Sequence, residues 1–298
     1  MTSYTIIIAT MERPGRLRDT LESVAGQTRR PVSVVVVDAS EDEESRLVCE
    51  GFAGRLEIHY RKARERSAAR QRNQGCEDVD APLLAFIDDD VVLEPHVFGQ
   101  LVAVFERRPD TGAVAARMRG FGHPRPRGLL RLYYRLQAGY DHPTWGGRLF
   151  GAAVNCLPCY EEDERVDGCL IAGEWAPSTV LLVSTTGFRE AGGFPDFTGY
   201  SFMEDAWLTA EVAKRKKVWF HTEALYDHYP SVSSAKRDAF RLGRMRVANR
   251  RAIARRVLGQ GVIVTGARVL LHKLFVTGVL LRDRPKAWLR EMLGTWAG

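Results

Sequence analysis

Pro82-Leu83-Leu84-Ala85-Phe86-Ile87-Asp88-Asp89-Asp90 is the stretch that decides how the chain is read. Its apolar residues run on without alternation, which describes a strand covered on both faces, as in the middle of a parallel sheet. Such a strand delivers the residues after it to the carboxyl edge of the sheet, where open α/β folds bind ligands. Here those residues are three carboxylates. Side by side they repel one another and are costly to desolvate. A divalent cation carrying the oxygens of a bound phosphate would relieve both problems. An acidic turn left in solvent is the plain alternative for a triple Asp alone, so the rest of the chain has to choose.

Upstream, Tyr4 to Ala9 reads as a strand, and Arg13-Pro14-Gly15 opens a helix with proline in its first turn. That helix carries Leu17, Leu21, Val24 and Ala25 on one stripe. Val32 to Val37 is a second buried strand, closing on Asp38-Ala39-Ser40; Leu56 to Tyr60 is a weaker third, and Ser67 to Gly75 is a helix. Downstream, Pro95 begins a helix with Val97, Phe98, Leu101, Val102 and Phe105 facing inward, and Ala113 to Met118 is another strand. This alternation predicts a parallel, doubly wound α/β sheet. There is no GxGxxG after the first strand and no GxxxxGK[ST], which counts against a dinucleotide dehydrogenase or a P-loop kinase.

From Gly120 to Trp175 the periodicity breaks down into Gly, Pro, Arg and aromatic residues, and a loop-rich insert of this length is expected to act as a lid or binding region. Regular structure resumes with a strand from Ser178 to Ser184 and a turn at Gly192-Gly193-Phe194-Pro195. Glu204-Asp205 then opens a helix through Lys214, where the helix dipole favours negative charge. Val218 to His221 is a short strand.

At 298 residues the chain can form one large α/β domain with additions, or two small domains. Its 45% hydrophobic and 27% charged residues are ordinary for a globular protein, and the net charge of +6 suits anionic partners. The odd number of cysteines, five, and an N-terminus that leads straight into Ile6-Ile7-Ile8 without a secretory h-region point to a reducing cytoplasm. Cys156-Leu157-Pro158-Cys159 is a CxxC, but only Cys169 stands near as a third ligand, short of a zinc set.

The ordered motifs resemble the inverting nucleotide-sugar glycosyltransferases of family 2. The set is the Ile-Ile-Ile-Ala-Thr strand with Arg13-Pro14, Val37-Asp38-Ala39-Ser40, Arg70-Gln71-Arg72-Asn73-Gln74-Gly75, Ile87-Asp88-Asp89-Asp90 and Met203-Glu204-Asp205. The resemblance covers roughly residues 4 to 230 and implies a GT-A fold, a mostly parallel Rossmann-like sheet flanked by helices. It further implies that Asp38 accepts a hydrogen bond from the nucleotide base, that Arg72 lies near base and diphosphate, and that Thr10-Met11-Glu12 packs on the base side. Asp88 would contact the ribose and share with Asp90 a Mn²⁺ or Mg²⁺ bridging the diphosphate, with Asp89 turned toward the protein or the sugar. His228 would join the metal or the diphosphate. Asp205 would be the catalytic base, with Glu204 beside it as the alternative. The Gln-x-x-Arg-Trp motif of processive synthases is missing, so single transfer to a glycan, glycolipid or small-molecule hydroxyl is expected rather than polymerisation.

Residues 238–258 read as an arginine-rich helix with Leu242, Met245, Ile253 and Val257 on one stripe and Arg241, Arg244, Arg251 and Arg255 opposite. Val262 to Leu281 is strongly apolar but interrupted by Arg268, His272 and Lys273. Trp288 and Trp296, near Arg282, Arg284, Lys286 and Arg290, would suit a surface anchor. Two readings stay open for this tail, docking on the domain or lying peripherally on the inner face of an anionic membrane. No motif supports nucleic-acid binding. The expected organisation is a GT-A domain over 1–230, divided into a nucleotide half (1–119) and an acceptor-side half (120–230), with a helical extension over 231–298. Two rival functions fit less well. A sugar-nucleotide nucleotidylyltransferase needs a Gly-rich phosphate loop that Thr10 to Gly15 does not supply. A non-catalytic scaffold does not need both Asp88-x-Asp90 and Glu204-Asp205.

Overall fold

A computed structural model describes residues 2–197, 202–230, 238–283 and 287–298. The first half alternates β1 (Tyr4–Thr10), α1 (Pro14–Ala25), β2 (Ser33–Asp38), α2 (Glu44–Glu50), β3 (Ile58–Lys62), α3 (Ala68–Gly75) and β4 (Leu83–Asp88). After it come β5 (Val91–Leu93), α4 (Val97–Arg107), β6 (Thr111–Met118), α5 (Gly128–Ala138) and a small hairpin, β7 (Leu149–Phe150) and β8 (Val154–Asn155). The chain continues through β9 (Leu170–Gly173), β10 (Val180–Ser184), α6 (Thr185–Glu190), α7 (Glu204–Ala213) and β11 (Lys217–His228). It finishes with three helices, α8 (Ala239–Arg256), α9 (Val262–Asp283) and α10 (Trp288–Ala297).

The central sheet has nine strands in the order β3-β2-β1-β4-β10-β6-β11-β5, with β9 also on β11. The N-terminal part of the sheet, β3-β2-β1-β4, is parallel throughout. Beyond it the sheet is mixed, because β10 runs antiparallel between β4 and β6. The apolar run of β4 is buried on both sides, as its lack of alternation requires. Leu83, Ala85 and Ile87 enter the core formed with α1, α2 and α4, while Leu84 and Phe86 enter the opposite core with α6 and α7. The packing of α3 on β1 depends on a glycine: a Cβ at Gly75 would stand 2.5 Å from Ile7 Cγ2.

Three features differ from the sequence reading. The 120–175 stretch is not loop alone. It holds α5, the β7–β8 hairpin and β9, and α5 escapes notice because its leucines are all exposed while its buried positions are Tyr133 and Gln137. The strand expected over Val218 to His221 continues to His228 as β11, past a register irregularity between Phe220 and Leu225 where Thr222-Glu223 interrupts the apolar run. On α8 the buried positions are Gly243, Val247, Asn249, Ile253 and Ala254, so Leu242 and Met245 are only partly covered. Arg284 and Lys286, two of the cations flanking the tail tryptophans, lie outside the described residues.

Candidate active site

Strand register builds the acidic site. β5 starts directly after Asp90 and pairs antiparallel with the end of β11, His228 opposite Val91. The Tyr229 amide donates to Asp90 O at 2.9 Å, which fixes the two strands' ends together. Thr20 of α1 holds β5 from behind through Val91, accepting from its amide at 3.2 Å and donating to its carbonyl at 2.8 Å. His228 Nε2 therefore lies 3.1 Å from Asp90 Oδ1, although 138 residues separate them. One ligand atom from each of Asp88, Asp90 and His228 falls within 4.8 Å of the others. Two carboxylates and an imidazole at that spacing fit a hard divalent cation such as Mn²⁺ or Mg²⁺.

Two arginines hold this acidic corner. Arg13, just before α1, sets Nη1 2.8 Å from Asp90 Oδ2 and Nη2 2.8 Å from Asp89 Oδ1, the latter an ion pair without hydrogen-bond alignment. Asp89 has no exposure and takes a 2.6 Å hydrogen bond from Thr10 Oγ1 on its other oxygen. Burial pushes its carboxyl up to about 7, against the pull of Arg13 and Thr10. Arg72, in α3, donates to Asp88 Oδ1 at 2.6 Å and to Glu204 Oε1 at 3.0 Å, with its guanidinium 5.4 Å from the Phe194 ring centre.

The opposite wall is the first turn of α7. Met203 takes a left-handed conformation (φ 68°), rare for a residue with a side chain, and it aims Glu204 and Asp205 inward. Asp205 Oδ1 accepts from the Ala206 amide at 2.7 Å. Thr209 Oγ1 donates to Asp205 O at 2.6 Å and accepts from the Ala176 amide at 2.8 Å, tying the helix to the segment before β10. Burial is the first cause raising both carboxyls above the usual range. For Glu204 the charge of Asp205 adds to it, and Arg72 opposes it in both.

Between the walls lies a cavity of ≈ 360 Å³ lined by Arg72, the three aspartates, Glu204, Asp205 and His228. Asn155 and Trp175 from the insert also line it, as do Ser178 and Thr179. The structure thus brings together Arg72, Asp88, Asp90, Glu204, Asp205 and His228, and places Asp89 beneath them.

Thr10 and Asp38 are not on the cavity wall. Thr10 serves Asp89 instead. Asp38 is fully buried, accepting from the Ser40 amide at 2.8 Å, from Ser40 Oγ at 2.5 Å and from Tyr60 OH at 2.8 Å. With those three donors in place its carboxylate closes the turn after β2, and a base could reach it only by displacing Ser40 or Tyr60. Asp followed two residues later by Ser is a turn signal that sequence could have offered. In the linear sequence Arg13 reads as part of a helix start and of the family motif, with no partner assigned to it. Its role appears once the β1 and β4 ends are adjacent.

The family model of glycosyl transferase family 2 matches residues 5–166, more than half of the chain. The chain belongs to glycosyl transferase family 2. Within that family, residues of this chain are 33% identical over 114 positions to a Haloferax volcanii glucosyl-dolichyl phosphate glucuronosyltransferase. The match covers 38% of this chain and 36% of that protein, so the chain aligns with only about a third of the relative's length. Solved structures share the fold at low identity. Residues 1–349 of S. aureus TarS align over 96% of this chain and 74% of theirs, at 14% identity and a TM-score of 0.54. A Pyrobaculum calidifontis mannosyltransferase, solved with GDP-Man and Mn²⁺, aligns over 99% of this chain and 84% of its own, at 13% identity and a TM-score of 0.58. The family 2 chain therefore has the GT-A fold, a central sheet flanked by helices with a C-terminal helical addition.

Proposed function

We propose that this family 2 protein transfers a single sugar from a nucleotide-diphosphate sugar to an acceptor hydroxyl, with inversion at the anomeric carbon and with Mn²⁺ or Mg²⁺ bound. The observation that carries the reading is the pair of opposed walls around one cavity, a cation-suited set at Asp88, Asp90 and His228 facing the carboxylate of Asp205. That set would hold the cation. When bound, it would neutralise the negative charge of a departing nucleoside diphosphate.

The chain's own residues supply the rest. Asp205 takes the proton of the acceptor hydroxyl as that oxygen attacks the anomeric carbon; a carboxylate raised by burial is the stronger base for this step. Glu204 is better suited to positioning, because its carboxylate is paired with Arg72. Arg72 links the two walls, and Arg13 orients Asp90 while compensating Asp89. Asp38 and Thr10 act from behind, shaping the strand ends on which the base side of the donor would rest. Asn155 and Trp175 form the acceptor side of the cavity. A glycolipid acceptor is favoured among hydroxyl acceptors, since the Haloferax relative is named for a dolichyl phosphate sugar. A nucleotidylyltransferase would leave Asp205, across the cavity from the cation set, without a task.

Replacing Asp205 by Asn tests this directly. Transfer should fall by about 10²–10⁴-fold while Mn²⁺-dependent nucleotide binding persists. Undiminished transfer by Asp205→Asn would overturn the assignment.

A further inference from the structure

Helix α9 is built inside out. A surface helix of a water-soluble protein turns its apolar stripe to the core and its charges to solvent. On α9 Arg268, His272 and Lys273 turn inward and are bonded there, and only Arg282 and Asp283, at its C-terminal end, stay in solvent. Arg268 Nη2 donates to Ala138 O at 3.3 Å, His272 Nδ1 meets Tyr133 OH at 2.6 Å, and Lys273 Nζ donates to Trp296 O at 3.2 Å. Burial, reinforced by Arg250 and Arg246, pushes the His272 imidazole down to about 3. Ile263, Ala267, Leu270, Leu274, Gly278 and Leu281 recur at helical spacing on the opposite side. Of these, Ile263 is 88% exposed, Leu270 49%, Leu274 54% and Leu281 45%. The stripe runs the length of the helix without a charge.

Its neighbours continue the pattern. Trp296 of α10 donates to Thr277 Oγ1 at 3.0 Å, and Leu289, Leu293 and Trp296 form an exposed stripe on that helix. Tyr133 of α5 stacks on Phe275 at 3.9 Å, and α5 exposes Leu129, Leu132 and Leu136.

Charge is segregated to the same end of the chain. Residues 231–298 hold 15 of the 43 Lys and Arg but only three of the 37 Asp and Glu, so this segment is +12 while residues 1–230 are −6. On α8, Arg241, Arg244, Arg251 and Arg255 are exposed along one face, with no acidic partner among the described residues.

We propose that the outward face of α9 and α10 seats the protein on an anionic lipid bilayer, lying in its surface, and that the acceptor is accordingly an amphiphile presented from that bilayer. The second half of this statement rests on the transferase reading above. An apolar stripe with abundant arginine nearby matches acyl chains beneath anionic headgroups. A second copy of the chain would set +12 against +12. By length and composition α9 could also cross a membrane. Crossing would carry Arg268, His272 and Lys273 into hydrocarbon and strip the helix from α5, α8 and α10, so lying in the surface is favoured.

The platform adjoins the cavity. Leu271 and Phe275 pack on the cluster containing Tyr133, Trp145, Phe150 and Val154, and the next residue, Asn155, lines the cavity. From α8, Asn249 Nδ2 donates to Phe202 O at 2.9 Å, two residues before Glu204.

The test is co-sedimentation of the full chain with vesicles of phosphatidylcholine, with and without phosphatidylglycerol, beside a Leu270→Glu/Leu274→Glu variant. The native chain should bind the anionic vesicles, less so in high salt, and the variant should bind about tenfold or more weakly. Thermal stabilisation by nucleotide and Mn²⁺ should be unchanged in the variant, which separates this proposal from the donor-site reading. If that variant does not fold, Leu289→Glu/Leu293→Glu serves on α10. No vesicle binding by the native chain, or equal binding by the folded variant, overturns the proposal. So does concentration-dependent self-association that the variant abolishes without vesicles, and so does retention in membranes after alkaline carbonate, which means a span.

Discussion

The guanidinium of Arg72 and the carboxylate of Glu204, 132 residues apart in the chain, meet at 3.0 Å inside the molecule. Because Arg72 also holds Asp88 at 2.6 Å, one cation ties the acidic end of β4 to the acidic start of α7. Geometry on one wall is thereby coupled to geometry on the other.

Removing that cation leaves two carboxylates facing each other across a buried space. Arg72→Met is expected to destabilise the fold by about 3–5 kcal/mol, the usual cost of breaking a buried pair. Urea unfolding measures it. Arg72→Lys should recover only part, since a compact ammonium lacks the planar guanidinium fork that spans both carboxylates.

Arg13 stands over a carboxylate that has no exposure. Arg13→Met should cost less, about 1–3 kcal/mol, because a guanidinium one-third exposed is already screened by water. Asp89→Asn in the same chain should recover most of the loss. A double-mutant cycle on unfolding midpoints checks the coupling.

Much of this site was legible from sequence because it hangs on strand ends. β1, β2 and β4 are unbroken apolar runs, and the residues that close them could be placed at one edge without any tertiary knowledge. Glu204-Asp205 was legible as the opening of a helix after a turn, and as part of a site only through the resemblance of Met203-Glu204-Asp205 to the family motif. What the residues alone could not supply were relations made by tertiary pairing: Arg13 with Asp89, and the continuation of β11 that brings His228 beside Asp90, a neighbour that only the family resemblance implied. The Asp38 carboxylate was placed at the right strand end, but the hydroxyls of Ser40 and Tyr60 that occupy it are invisible in a linear motif. On α5 and α9 the outward apolar stripes obscured the periodicity that distinguishes inside from outside.

The raised carboxyls of Glu204 and Asp205 have a consequence for pH. Their folded values lie above those of the unfolded chain, so the folded state holds these protons more tightly. Their contribution to stability is fully present below about pH 4, the ordinary carboxylate value, and is lost as pH rises through the raised values. Asp205→Asn lacks part of that loss, so its unfolding midpoint should improve relative to the native chain as pH rises from about 5 to 8. If the transfer reading holds, the acid limb of kcat/KM should likewise lie above about pH 4. Parallel melting profiles for the two chains would contradict the raised values.

His228 contributes one of the three atoms of the proposed cation set. His228→Ala should raise the Mn²⁺ concentration needed for nucleotide-induced stabilisation by about tenfold or more, and saturating metal should restore it. An unchanged requirement, titrated by calorimetry, would remove His228 from the set.

The central claim is a cation-assisted nucleotide-sugar site at the end of β4, and thermal stability tests it most directly. The full chain is melted with UDP, dTDP, GDP and CDP, each in Mn²⁺, in Mg²⁺ and in EDTA. A ligand that binds only the folded state raises the midpoint according to RT ln(1 + [L]/Kd), so a response selective for one nucleotide also names the donor. The account predicts a metal-dependent rise with at least one nucleotide, lost in Asp90→Ala and kept in Asp205→Asn. No rise with any nucleotide, or a rise indifferent to EDTA and to Asp90→Ala, would contradict it.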